Sequence, residues 1–236
     1  MKRIVLAALA TVLALAVGSA PAYAVLRVPQ VPFASAPLQT RLNAAGESIN
    51  VLTQQQNGLV WGTTATGNSL LTIQFDLNNG NLGDSEMGIA KLDPTGHSIT
   101  GYATVFPATA DNGWFAVASF KAGDLLTVNL FNQNAVLVNP VPMQYTGVNR
   151  SLFAYYLKTG LNTFYSHDGF NSDGRCHALT YAGTGQNAGC WWQCWENAPI
   201  TNYSGADFND AVVFMEALNP TPVSHATWGS VKARFR

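Results

Sequence analysis

The chain has 236 residues, of which 47% are hydrophobic and only 11% charged, and its formal net charge is −1. This apolar fraction is enough to bury a core and argues against a disordered chain. The near-neutral charge argues against binding to nucleic acid, which needs a basic surface.

The first 24 residues are typical of a secretory signal peptide. Lys2 and Arg3 precede an apolar run over residues 4–17, which is too short to span a bilayer comfortably. Ala22-Tyr23-Ala24 has the small-x-small pattern of a cleavage site, so we predict cleavage after Ala24, with an uncleaved anchor as the alternative. The mature protein is then expected to be secreted or at the cell surface, with no transmembrane segment and a formal charge of about −3.

Alternating apolar residues dominate the mature chain and predict β-strands, because successive side chains of a strand point to opposite faces. The clearest alternations are Leu71/Ile73/Phe75/Leu77, Phe115/Val117, Leu126/Val128/Leu130 and Phe153/Tyr155/Leu157. Turn signals such as Asn57-Gly58 and Asn112-Gly113 separate such runs. We therefore predict an all-β fold: a single antiparallel, jelly-roll-like β-sandwich over residues 25–218. A division into two parts near residues 145–150 is the alternative.

Helix is expected at one place at most. Residues 35–44 have Ser35 as a helix cap and Pro37 in the first turn, which predicts one short helix. Residues 219–236 form a basic, aromatic tail whose alternatives are a final strand, a sorting tag or a mobile terminus.

Three cysteines occur in the C-terminal third of the chain, and export favours their oxidation. Cys190 and Cys194 are too far apart in an extended strand to bridge each other. If the flanking segments pair as a hairpin, Cys176 faces the region of Cys194, so we predict a Cys176–Cys194 disulfide, with Cys190 as the alternative partner. A zinc site with His177 is a further alternative, although the spacing lacks a paired C-x₂-C motif.

Acidic residues outnumber basic ones in the same region. Residues 161–216 contain six acids and one base, Arg175. Four of the acids fall in two clusters, one over residues 168–174 and one over residues 205–210, and Glu196 could supply another carboxylate from across the sheet. Carboxylates beside an apolar run need a positive partner, and a ligand set of oxygens without convergent histidines favours Ca²⁺ over Zn²⁺.

Local sequence alone does not complete such a site. In an extended chain Asp207 and Asn209 point to one side and Asp210 to the other, so a turn or bulge is needed for them to converge. The EF-hand template fails because Gly169 and Thr180 fall at the positions that need acids. The alternative is that each acid only caps its own turn.

The ordered motifs resemble a known family, the bacterial domain of unknown function 4114, over about residues 161–218. They are Phe164-Tyr165-Ser166, Asn171-Ser172-Asp173-Gly174 with His177, Trp195-Glu196-Asn197, and Gly205-Ala206-Asp207-Phe208-Asn209-Asp210-Ala211-Val212. The resemblance implies a calcium-binding β domain of secreted and surface proteins. It implies metal ligands at Asp173, Glu196, Asp207, Asn209 and Asp210, with Asp168 and Asn171 as weaker candidates. Asn197 and Gly205 stand where the family usually has aspartates, which lowers the negative charge.

Catalysis is not expected, since the chain has no G-x-S-x-G or H-E-x-x-H motif. We expect a non-catalytic structural or adhesive module, with surface or matrix proteins or glycans as partners. One alternative is a carbohydrate-binding module that uses Trp191, Trp192 and Trp195. Another is a glycoside hydrolase that pairs Glu196 with Asp207 or Glu216.

Overall fold

The computed structural model describes residues 25–63, 67–75 and 85–221. The predicted signal peptide, Leu77 and the tail from residue 222 onward lie outside the described residues. Within the described ranges the chain forms one α-helix, α1, and thirteen strands. Their bounds are α1 Ala36–Ala44, β1 Val60–Gly62, β2 Gly67–Phe75, β3 Glu86–Leu92, β4 Ile99–Phe106, β5 Phe115–Lys121, β6 Leu125–Phe131, β7 Met143–Tyr145, β8 Phe153–Thr159, β9 Asn162–Tyr165, β10 Ala178–Ala182, β11 Trp191–Trp195, β12 Ala211–Met215 and β13 Asn219–Thr221.

The strands form two antiparallel sheets, which confirms the predicted all-β sandwich. The six-stranded sheet has the order β13-β1-β8-β3-β4, with β9 paired to β8. The seven-stranded sheet has the order β10-β11-β12-β2-β5-β6-β7. The chain passes repeatedly from one sheet to the other, so sequence neighbours such as β1 and β2 lie in different layers.

The main core lies between the two sheets and consists of the inward residues of the alternating strands. Leu71 and Ile73 of β2 and Leu126 and Val128 of β6 are buried there, as their spacing predicts. Trp61 joins the layers, because its ring packs edge-on against Tyr155 of the six-stranded sheet and Trp191 of the seven-stranded sheet.

A second core covers the outer face of the seven-stranded sheet. The predicted helix is confirmed, and Leu38 and Leu42, one turn apart, are fully buried in this core. The helix ends before Gly46, whose positive φ of 83° suits a glycine in a C-terminal cap. The N-terminal segment thus forms a layer over the sheet.

The sandwich extends further than predicted at its C-terminal end. Asn219–Thr221 forms β13 and pairs with β1, so these three residues belong to the sheet and not to a separate tail. Within the described ranges, no helix has the length and hydropathy needed to cross a membrane.

Candidate metal centre

Two neighbouring strands bring Glu196 and Asp210 to the same end of the seven-stranded sheet. Strand β11 ends at Trp195 and β12 begins at Ala211, and these two residues are directly paired. Glu196 follows the first and Asp210 precedes the second, so antiparallel pairing makes them neighbours. Two hydrogen bonds hold the strand ends together: Asp210 N–H donates to Trp195 O at 3.1 Å, and Asn197 N–H donates to the side-chain Oδ2 of Asp210 at 2.9 Å.

A sharp bend at Phe208 brings Asp207 to the same place. Phe208 has a φ of 53°, in the left-handed region that non-glycine residues seldom adopt. Its fully buried ring packs edge-on against Phe33 at 5.1 Å, which holds the bend against the second core. Asp207 N–H then donates to Glu196 Oε2 at 3.0 Å. This is the turn that the sequence required for the carboxylates to converge.

Glu196, Asp207 and Asp210 form one acidic group, which we call the carboxylate triad. Each offers a ligand atom, and these atoms all lie within 4.8 Å of one another. Calcium binds oxygens at 2.3–2.6 Å, so two ligands across the ion are separated by about 5 Å. The spacing and the all-oxygen chemistry of the triad therefore fit calcium.

The ionised form of Glu196 is unfavourable because the side chain is buried beside two other carboxylates. Glu196 is only 8% exposed. Burial first, and then the charge of Asp210, raise the pKa of Glu196 to about 7, although the hydrogen bond from Asp207 N–H opposes this rise. The neighbouring carboxylates thus disfavour ionisation of Glu196, and a divalent cation would offset that repulsion.

Asp173 is not a member of the triad. Its carboxylate accepts hydrogen bonds from the N–H groups of Arg175 at 2.9 Å and Ile200 at 3.2 Å, and lies 2.9 Å from His177 Nε2. Burial alone would raise the pKa of Asp173, but these partners lower it. The other His177 nitrogen lies 3.0 Å from Glu196 O. The histidine thus separates Asp173 from Glu196, and Asp173 fixes a turn.

The other predicted ligands serve different contacts. Asn171 is buried, and its amide binds Tyr165 N–H and the carbonyls of Tyr165 and Arg175, so it holds the turn after β9. Asp168 forms an ion pair with Arg27 of the N-terminal segment. Asn209 lies between two triad members, and its N–H donates to Asp207 Oδ1 at 3.2 Å.

The predicted disulfide is absent from the structure, in which Cys176, Cys190 and Cys194 are free thiols. The hairpin register explains this, because Cys194 lies opposite Leu179 and Cys176 falls beyond the end of the ladder. Cys176 and Cys194 are buried, and burial raises the pKa of both, that of Cys176 to about 12. Protonated, buried thiols react slowly.

The alternative of a carbohydrate-binding surface formed by the three tryptophans is wrong. Trp191, Trp192 and Trp195 are 5%, 2% and 0% exposed, because β11 is covered on both faces. The pairing of Glu196 with Glu216 is also wrong, since Glu216 follows Met215 at the opposite end of β12 from the triad.

Sequence reasoning missed the role of Phe208, which makes the carboxylates converge. The signal was a single large apolar residue between polar ones in Asp207-Phe208-Asn209-Asp210. Phe is among the residue types most often fully buried, so such a residue in a polar loop indicates a contact with a core.

Comparison of the chain with models of known families, with curated proteins and with solved structures gave no match to any of them.

Proposed function

We propose that the chain is an exported, non-catalytic β-sandwich module that binds calcium through the carboxylate triad. The observation that carries this proposal is the convergence of Glu196, Asp207 and Asp210, three acids from two strand ends and a bent loop, within 4.8 Å. Their sequence separation argues against the alternative in which each acid only caps its own turn.

The role of the ion in this proposal is structural. Residues 196–210 connect β11 to β12 and form an irregular loop. Its two ends are joined by the hydrogen bonds from Asp210 N–H to Trp195 O and from Asn197 N–H to Asp210 Oδ2. A cation bound to Glu196, Asp207 and Asp210 would tie both ends of that loop together. Because only the folded chain assembles this ligand set, calcium would stabilise the fold by mass action.

The biological setting is inferred from sequence. The basic start and apolar run of residues 1–24 support export. The resemblance over residues 161–218 supports a role as a structural or adhesive module at the surface or in the extracellular matrix of a bacterium. Surface or matrix proteins and glycans are the partners that this setting implies.

The test is thermal unfolding of the mature chain in EGTA and in calcium, together with metal analysis of the purified protein. The pH should lie above the raised pKa of Glu196, which is about 7, so that the carboxylate is ionised. Free calcium at 100 times its dissociation constant should then stabilise the fold by about 2.7 kcal/mol. Magnesium at the same concentration is the control, and it should act more weakly because it demands a stricter octahedral shell. An identical melting temperature in EGTA and calcium, with no bound metal, would refute the proposal.

A further inference from the structure

The main core contains an unusual group of polar atoms beside β11. Gln193 is fully buried, and neither its amide oxygen nor its amide nitrogen has a hydrogen-bond partner among the residues that the structure describes. The same holds, within those ranges, for the indole nitrogens of Trp191 and Trp195 and for the hydroxyl oxygens of Thr180 and Tyr155.

These atoms belong to one region, which we call the inner polar strip. Trp191, Gln193 and Trp195 alternate along β11 and so point to the same inward face. Thr180 lies directly opposite Gln193 on β10. Tyr155 of the other sheet adjoins this region, because the Trp61 ring packs against the rings of both Tyr155 and Trp191.

The main chain closes the strip on one side. A Cβ atom at Gly58 would lie 2.0 Å from Thr180 Oγ1, so only glycine allows this close approach. The Gly58 carbonyl is already used, because it accepts the indole N–H of Trp61 at 3.0 Å. The main chain at Gly58 therefore covers Thr180 without offering its carbonyl to the strip.

Six buried polar atoms without partners would cost far more than a fold of this size tolerates, at about 1–3 kcal/mol for each group. The two indoles only donate, whereas the amide and the hydroxyls both donate and accept. A molecule bound in the strip must therefore both accept and donate hydrogen bonds. It must also be neutral, because no residue of the strip is charged and could balance an ion.

We propose that the inner polar strip is a buried hydration site, in which ordered water molecules bridge Gln193 to the indole and hydroxyl groups around it. Buried waters of this kind make two to four hydrogen bonds to otherwise unsatisfied groups. The main core would then contain ordered water along β11 but none around Leu126 and Val128 of β6.

Four buried indoles, three on β11 and that of Trp61 beside it, provide an internal test by NMR. Trp191 and Trp195 belong to the strip, whereas the indoles of Trp61 and Trp192 donate to Gly58 O and to Glu47 Oε1. We expect rotating-frame cross-relaxation between long-lived water and the Trp191 and Trp195 indole protons. Those of Trp61 and Trp192 should show none. The sign of the cross-peaks separates cross-relaxation from chemical exchange.

One variant and its control test whether Gln193 holds the water. Gln193→Met keeps the length of the side chain and removes the amide, so the water cross-peaks of Trp191 and Trp195 should be lost. Gln144→Met, at an exposed position of β7, is the matched control and should keep them. Equal cross-peaks at all four indoles, none at any of them, or cross-peaks unchanged by Gln193→Met would overturn the proposal. The measurement on the unmodified protein decides even if Gln193→Met does not fold.

Discussion

Single carboxylates in this protein have different roles according to what surrounds them. Asp173 is surrounded by donors, which lower its pKa, whereas Glu196 faces Asp207 and Asp210, and its pKa is raised to about 7. A carboxylate whose charge is already satisfied by the fold gains little from a cation. One that faces other carboxylates gains most.

The first residue-scale prediction separates these two classes. Asp207→Asn removes one charge from the triad and should weaken calcium binding by about tenfold or more, since ligand charge sets affinity in oxygen sites. Asp173→Asn makes the same chemical change outside the triad and should leave calcium affinity within about twofold, although it costs stability through the lost contact to His177. Calorimetric titration with calcium measures both variants. Equal loss of affinity in the two would place Asp173 in the site and contradict the assignment.

The second residue-scale prediction concerns Glu47, a buried acid that sequence reasoning did not single out. Its carboxylate accepts four hydrogen bonds of 2.6–2.7 Å, from the N–H and hydroxyl of Thr184, the amide of Asn187 and the indole of Trp192. Burial alone would raise the pKa of Glu47, but these bonds lower it below its ordinary value of 4.5. The stabilisation is therefore complete above pH 4.5 and is lost as the pH falls through the lower folded value.

Glu47→Gln should accordingly destabilise the protein by about 3 kcal/mol near neutral pH, because the new amide N–H₂ faces donors. Urea unfolding from neutral to acidic pH should show the gap between variant and unmodified protein narrowing below pH 4.5. Asp111→Asn, at an exposed turn, is the control and should change stability little. A gap that widens on acidification would show that Glu47 is not held as a carboxylate.

At the scale of elements, strands were more predictable than the loop between them. Alternation identified β2, β5, β6 and β8, and the cap and proline identified α1. These features are local: each follows from one segment and its two faces. The register of β11 against β12, which sets Glu196 beside Asp210, joins segments that sequence alone did not pair.

The buried tryptophans and the free thiols both depend on how segments that are distant in sequence pack or pair. The N-terminal layer that contains α1 covers the outer face of β11. No local pattern in residues 25–51 predicts where that layer packs. The alternative of a carbohydrate-binding module needed an exposed Trp192, which this layer covers. The predicted Cys176–Cys194 disulfide depended on a hairpin whose register the sequence did not fix.

The element-scale prediction concerns the loop between β11 and β12. Phe208→Ala removes a fully buried ring and should cost about 3–4 kcal/mol. Because the ring anchors the bend at φ 53° that directs Asp207 toward Glu196, calcium affinity should fall as well. Phe106→Ala, at an equally buried position of the main core, is the matched control: it should cost similar stability with little change in affinity. If both variants bind calcium equally well, the bend does not organise the triad.

At the scale of the whole molecule, two cores on opposite faces of one sheet share its strands. On β11 the inward residues Trp191 and Trp195 belong to the main core, and Trp192 and Cys194 belong to the core under α1. A substitution that destabilises either core therefore also affects the packing of β11. This coupling predicts one cooperative unfolding transition for the folded domain rather than two.

The last prediction tests that coupling through Trp61, whose ring contacts Tyr155 in one sheet and Trp191 in the other. Trp61→Phe shortens a fully buried side chain and loses the hydrogen bond to Gly58 O, so it should cost about 2–3 kcal/mol. If the layers unfold as one unit, the midpoints reported by far-ultraviolet circular dichroism and by fluorescence of the remaining tryptophans should fall together in urea, with an unchanged slope. Leu161→Ala, at a fully exposed side chain between β8 and β9, is the control and should move neither midpoint by much. Midpoints that separate in Trp61→Phe would mean that the layer with α1 and the seven-stranded sheet persists after the other sheet has come apart.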